Sequence, residues 1–178
     1  MKRADLIDQM PGLRRYARAL TGDPWAADDL VQDTLERACS KWRFWTAGTD
    51  LRAWLFTLMH NLHVSGLRQT QRRSGSGPHV DADDVAAELV APDTAQDLAL
   101  DLQRCLLRLP EDQRAVLLLV SMEEMGYDQV ARIMGTPIGT VMSRLSRARA
   151  RLHALMNAAA TSAPPPDVAA PTHLRRLK

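Results

Sequence analysis

Long apolar runs are missing from this 178-residue chain. No stretch approaches the roughly eighteen consecutive apolar residues of a membrane span, so membrane insertion is not expected. The opening Met-Lys-Arg-Ala-Asp leads into an amphipathic pattern rather than a secretory signal. Cysteine is scarce: Cys39 and Cys105 sit far apart with no CxxC spacing, which predicts buried thiols in a reduced cytoplasm. Strand alternation is missing too, and Val and Ile are sparse beside Leu and Ala, so the chain is expected to be all-α. There is no glycine-rich phosphate loop, no nucleophile elbow and no catalytic pair of carboxylates, which argues against an enzyme. His60 and His63 have a helical metal-ligand spacing but no further ligands nearby. They are expected to be a surface feature, and neither a metal nor a cofactor is implied.

Acidic and basic residues are strongly segregated. Residues 1–73 carry twelve Lys/Arg against eight Asp/Glu. Residues 74–97 carry six acids and no Lys or Arg, and residues 98–156 carry eight Arg against six acids. Two basic helical bodies joined by an acidic tether suggest that both bodies meet a polyanion.

The helix signals set the organisation. A first helix is expected over about residues 3–20, bent or interrupted at Pro11-Gly12. Asp23 is placed to N-cap a second, with Pro24 at its first position, reaching about Trp42. Asp50 is placed to cap a third, from Leu51 to roughly Arg68. Ser74-Gly75-Ser76-Gly77-Pro78 has linker composition, and a short acidic helix is possible over about residues 82–90. Four further helices follow, with Leu109-Pro110-Glu111 as one turn. The expected domains are residues 1–73, a flexible acidic linker 74–95, residues 96–156, and an Ala/Pro-rich disordered tail 157–178.

The stretch YDQVARIMGTPIGTVMSRLSRARAR, residues 127–151, carries the sharpest signal. Ala131 lets two helices cross closely, Gly135 can take the positive φ that ends the first, and Val141 points back into the crossing. This is the pattern of a helix-turn-helix, whose second helix enters the DNA major groove. Wound at about 100° per residue, Ile138, Val141, Leu145, Ala148 and Leu152 form a buried stripe. Thr140, Ser143, Arg144, Arg147 and Arg151 fall on the opposite side. Arginine bridges guanine O6 and N7, and Ser or Thr reaches a base edge or phosphate. A charge run is usually a solvated face. Here acids are all but absent between Ile138 and Leu155, so the usual salt-bridge lacing is missing and DNA reading is favoured.

Two features of the first body stand out. Asp29, Gln32, Asp33 and Glu36 make one polar, acidic stripe opposite Leu30, Val31, Leu35 and Ala38. An acidic stripe cannot favour DNA and suits a basic protein surface instead; a solvated face ranks second, because the four positions have no basic partner except Arg37. Among Trp42, Phe44, Trp45, Trp54 and Phe56, most rings are expected in the core. Phe44 and Trp45, however, lead into a glycine-containing loop, and unstacked bases need a π-face.

Four motifs in order and spacing carry a family resemblance: DDLVQDTLERA at 28–38, LRAWLFTLMHNLHVSGLR at 51–68, LPEDQRAVLLLV at 109–120, and the helix-turn-helix. Together, over about residues 10–155, they resemble the two-domain extracytoplasmic-function (ECF) sigma factors of bacterial RNA polymerase, in the sigma-70 family. The resemblance implies a promoter-recognition subunit that is not an enzyme. Its partners would be core RNA polymerase (the beta-prime clamp and the beta flap), promoter DNA and an anti-sigma factor. Asp29, Gln32, Asp33 and Glu36 would dock on the clamp helices. Asn61 and the loop 46–50, with Gly48 and Thr49, would hold a flipped base of the minus-10 element beside Trp45. Thr140, Ser143, Arg144, Arg147 and Arg151 would read the minus-35 element. Met142 and Thr57 stand where many relatives carry a basic residue, and the Ala/Pro tail lies outside the resemblance.

Two rival readings keep the DNA- or sigma-like character. A stand-alone helix-turn-helix regulator would normally dimerise, and no heptad or dimer stripe is present. A sigma mimic that sequesters an anti-sigma factor would be expected to lose the arginine face, which is intact here.

Overall fold

The computed structural model describes residues 3–42, 50–74 and 94–162, and within these it contains seven helices and no strand. They are α1 (Arg3–Thr21), α2 (Pro24–Ser40), α3 (Leu51–Ser74), α4 (Thr94–Leu107), α5 (Glu111–Ser121), α6 (Tyr127–Met134) and α7 (Ile138–Ser162). The all-α expectation therefore stands. The possible helix at 82–90, and all but the ends of the linker, lie outside the described residues.

The helix ends follow local chemistry. Asp23 accepts hydrogen bonds from the Trp25 and Ala26 backbone N–H at 2.6 and 3.0 Å, and Pro24 opens α2. Asp50 caps α3 through the Ala53 N–H at 3.1 Å. Pro11 does not interrupt α1, which runs through it. α3 continues to Ser74, past the expected end near Arg68, because no Gly or Pro follows until Gly75. α7 likewise continues to Ser162 through an alanine-rich stretch of high helix propensity.

Packing is continuous from α1 to α7. Leu13, Tyr16, Ala17, Leu20, Ala27, Leu30, Val31, Ala38, Leu55, Phe56 and Met59 bury the inner faces of α1–α3. Val116, Leu119, Val130, Ile133, Val141, Leu145 and Ala148 do the same for α5–α7. Both sets belong to one hydrophobic core, with α1 against α4 and α5, and α3 against α6. Tyr16 and Phe56 meet edge-to-face with ring centroids 5.3 Å apart.

Three expectations are corrected here. Cys39 is exposed rather than buried, because it falls outside the α2 stripe of Leu30, Val31, Thr34 and Ala38; Cys105 is buried. Ile138 is 41 % exposed. As the first residue of α7 it projects past the helices that cover the rest of the stripe. His60 and His63 are not a surface pair: His60 is buried, and the His63 ring is 11 % exposed with Nε2 2.7 Å from Glu111 Oε1. α3 turns that face onto the N-terminus of α5, which spacing within α3 alone does not reveal.

Candidate nucleic-acid and polymerase interfaces

The helix-turn-helix is built as its residues dictate. Gly135 adopts φ 60°, ψ 35°, the left-handed conformation that costs glycine little, and ends α6. The Thr136 N–H then bonds back to the Ala131 carbonyl at 3.0 Å. Pro137 accepts from the Thr140 and Val141 N–H groups at 2.9 and 3.2 Å and starts α7. Val130, Ile133, Val141, Leu145 and Ala148 are buried in the crossing.

The opposite side of α7 divides in two. Ser143, Arg147 and Arg151 are exposed. Ser143 Oγ donates to the Thr140 carbonyl at 3.0 Å. Arg147 reaches back along its own helix to the Ser143 carbonyl (3.2 Å) and hydroxyl (3.4 Å). Among the described residues nothing on another helix holds it there, so the side chain is able to swing outward. Arg144 differs: its Nε lies 2.9 Å from Asp112 Oδ2 on α5, and its side chain is only 22 % exposed. Thr140 is half-buried, and Met142 is half exposed beside the stripe.

On α2, Asp29, Gln32, Asp33 and Glu36 are all exposed, with Gln32 Nε2 donating to Glu36 Oε1 at 3.0 Å. No basic side chain lies against the stripe in any recorded ion pair of the described residues. An N-cap aspartate and an apolar inner face thus hold four polar groups outward in one row. Asn61 is exposed on α3. Trp45, Gly48 and Thr49 lie outside the described residues, so of that group only Asn61 is placed.

A further polar cluster, joining α1 and α3 to the turn after α5, was not anticipated from the sequence. Glu123, in the turn after α5, is buried, and its Oε1 accepts from Arg15 Nη2 at 2.8 Å and Nε at 3.1 Å. Its Oε2 accepts from Arg52 Nη2 at 2.6 Å. Gln129 donates to Asp50 Oδ2 at 2.7 Å while its Oε1 accepts the Gly126 N–H at 3.0 Å. Burial lowers the His60 pKa, and the nearby His63 and Arg144 add to the effect against Glu111. The ties of Glu123 to Arg15 and Arg52, and of Gln129 to Asp50, join residues 108, 71 and 79 apart in the chain, which local periodicity does not encode. Among the described residues no group of three His, Cys, Asp or Glu could hold a metal.

Comparison with known proteins agrees with this architecture. Residues 6–60 match the Sigma2 domain of PhyR, and residues 99–152 match Sigma-70 region 4. The ECF RNA polymerase sigma factor EcfG of Rhodopseudomonas palustris is 38 % identical over 157 residues, covering 86 % of this chain and 84 % of the relative. The ECF RNA polymerase sigma factor SigM of Mycobacterium tuberculosis is 36 % identical over 148 residues, 81 % of this chain and 71 % of that protein. Among solved structures, the sigma factor RpoE from Bartonella quintana, in complex with the anti-sigma factor NepR, superposes with a TM-score of 0.72. It is 33 % identical, over 87 % of this chain and 96 % of RpoE. With both halves matched in order, the chain belongs to the ECF sigma factors of the sigma-70 family.

Proposed function

We propose that this sigma factor divides promoter recognition between its two helix groups, residues 1–73 and 96–156, working in the cytoplasm and under the control of an anti-sigma factor. Asp29, Gln32, Asp33 and Glu36 dock on core polymerase. Asn61, with Trp45, Gly48 and Thr49, holds the melted minus-10 strand. Arg147, Arg151, Ser143 and Thr140 meet the minus-35 element, and Arg144 joins them when it leaves Asp112. The observation that carries the reading is the exposed arginine face of α7 on a helix-turn-helix closed by Gly135. The sigma factor RpoE, the similar solved structure, is bound by the anti-sigma factor NepR, which supports a regulator of that kind here.

Run-off transcription with purified core polymerase on a promoter library tests the reading. A specific transcript that depends on this chain is expected. Failure to co-elute with core polymerase, together with no specific transcript from any template, would refute it. A second reading has one observation in its favour: residues 6–60 match the Sigma2 domain of PhyR. A sigma-like sequestrator would bind an anti-sigma factor yet give no transcript, so the same assay separates the two.

A further inference from the structure

The Glu123 cluster is unusual for what it joins. Arg15 comes from α1 and Arg52 from α3, whereas Glu123 belongs to the turn between α5 and α6. The Glu123 side chain is fully buried, but those of Arg15 and Arg52 remain 53 % and 39 % exposed. One guanidinium grips each carboxylate oxygen, and Arg52 also lies over the Phe56 ring, 5.7 Å from its centroid. The approach is close: a Cβ on Gly12 would stand 3.1 Å from Glu123 Oε2.

Two guanidinia converging on two oxygens of one anion is the arrangement that also recognises a phosphodiester. Arg15 and Arg52 sit on the basic first body, face solvent on their outer sides, and have no role in the recognition surfaces described above. Among the described residues the remaining polar links across the same boundary are Gln129 to Asp50, His63 to Glu111, and Gln103 Nε2 to the Gly22 carbonyl at 3.3 Å. A buried carboxylate is costly to bring out of water and contributes little net stability unless its partners stay in place. An anion that offers the arginines an equivalent pair of oxygens therefore competes well against it.

We propose that Arg15 and Arg52 form a phosphodiester-binding site, filled by Glu123 of the same chain when the two helix groups pack together. Duplex DNA then opens the packing by exchanging a backbone phosphate for the carboxylate. The inference rests on the reading of this chain as a promoter-binding protein. It adds that the free chain is self-closed and that DNA itself releases it.

The test is pulsed electron–electron distance measurement on the full chain, with spin labels at native Cys39 and at Ser146→Cys in a Cys105→Ser background. With the Glu123 cluster intact, the free labelled protein is expected to give one narrow distance that lengthens and broadens as a duplex promoter fragment is added. Glu123→Gln should give the long distribution without DNA and bind the duplex several-fold more tightly. Arg15→Gln with Arg52→Gln should also be open, but bind roughly tenfold more weakly, with a salt dependence shallower by about one phosphate. Any one of three results overturns the proposal: an intact-cluster distance that saturating DNA leaves unchanged, a Glu123→Gln chain that stays closed, or an unaltered salt slope in the double arginine variant. The intact-cluster titration needs no substitution in the cluster, so misfolding of a cluster variant does not blunt it. Run-off transcription by wild-type protein is scored separately. A chain that opens on DNA but supports no transcript keeps the exchange and sinks the promoter-recognition reading.

Discussion

Asp112 on α5 holds Arg144 of the recognition helix, carboxylate oxygen to guanidinium nitrogen at 2.9 Å. Arg147, one turn further along, is tied only to its own helix through Ser143. The two arginines therefore differ in what DNA binding requires of them. Arg144 must exchange an ion pair, and Arg147 only a bond to its own helix.

That difference sets the first prediction. Arg147→Ala should lose about 1–3 kcal/mol on the preferred minus-35 sequence and relax discrimination there. Asp112→Asn should release Arg144 and strengthen binding to all sequences, with a steeper salt dependence. Binding isotherms over a sequence panel at several salt concentrations measure both. Equal weakening of every sequence by Arg147→Ala would remove that side chain from base reading.

The acidic stripe of α2 gives the second. Reversing charge at Asp29, Asp33 and Glu36 together should abolish co-elution with core polymerase and shift the melting temperature little. All three groups are exposed, and exposed helix charges contribute little to stability. A folded triple mutant that still binds core polymerase normally would return the stripe to solvent.

Much of this was legible in the sequence, for identifiable reasons. The caps at Asp23 and Asp50, the left-handed Gly135 and the α7 stripe are all set within a few residues, where 3.6-residue periodicity and turn chemistry speak directly. Asp29, Gln32, Asp33 and Glu36 were readable because one helix face decides them. The Arg144–Asp112 pair, the burial of His60 and His63, and the grip of Arg15 and Arg52 on Glu123 were not. Each depends on how separate helices come together, and a polar residue aimed at a distant partner looks like any exposed polar residue.

His60 makes the fold sensitive to acid. Burial first, then His63 and Arg144, lower its pKa, and Glu111 only partly opposes them. The unfolded chain then binds a proton more readily than the folded one between the ordinary histidine value of about 6.5 and the lower folded value. Stability should fall as pH drops below about 6.5 and level off once the folded histidine is also charged. Melting curves across that range should show the slope in wild-type protein and a flatter one in His60→Gln. Parallel curves for the two proteins would exclude His60 as the source.

Glu124 holds a left-handed backbone, φ 54°, in the turn between α5 and α6, and among the described residues it is the single non-glycine with positive φ. Its side chain is exposed, so packing gains nothing from it. A left-handed conformation costs an L-residue with a Cβ roughly 1–2 kcal/mol, which glycine avoids. Against that, glycine gives up more freedom on folding, so the net gain from Glu124→Gly should be under about 1 kcal/mol. The adjoining Glu123 must keep its place between Arg15 and Arg52, and the substitution leaves its side chain untouched. Glu124→Gly is therefore expected to raise the denaturant midpoint slightly, with an unchanged denaturant slope and unchanged promoter binding. Glu124→Val, with a branched Cβ in the same conformation, should lower the midpoint by more than glycine raises it. Equal midpoints for the glycine and valine variants would show that the turn relaxes to another backbone conformation at no cost.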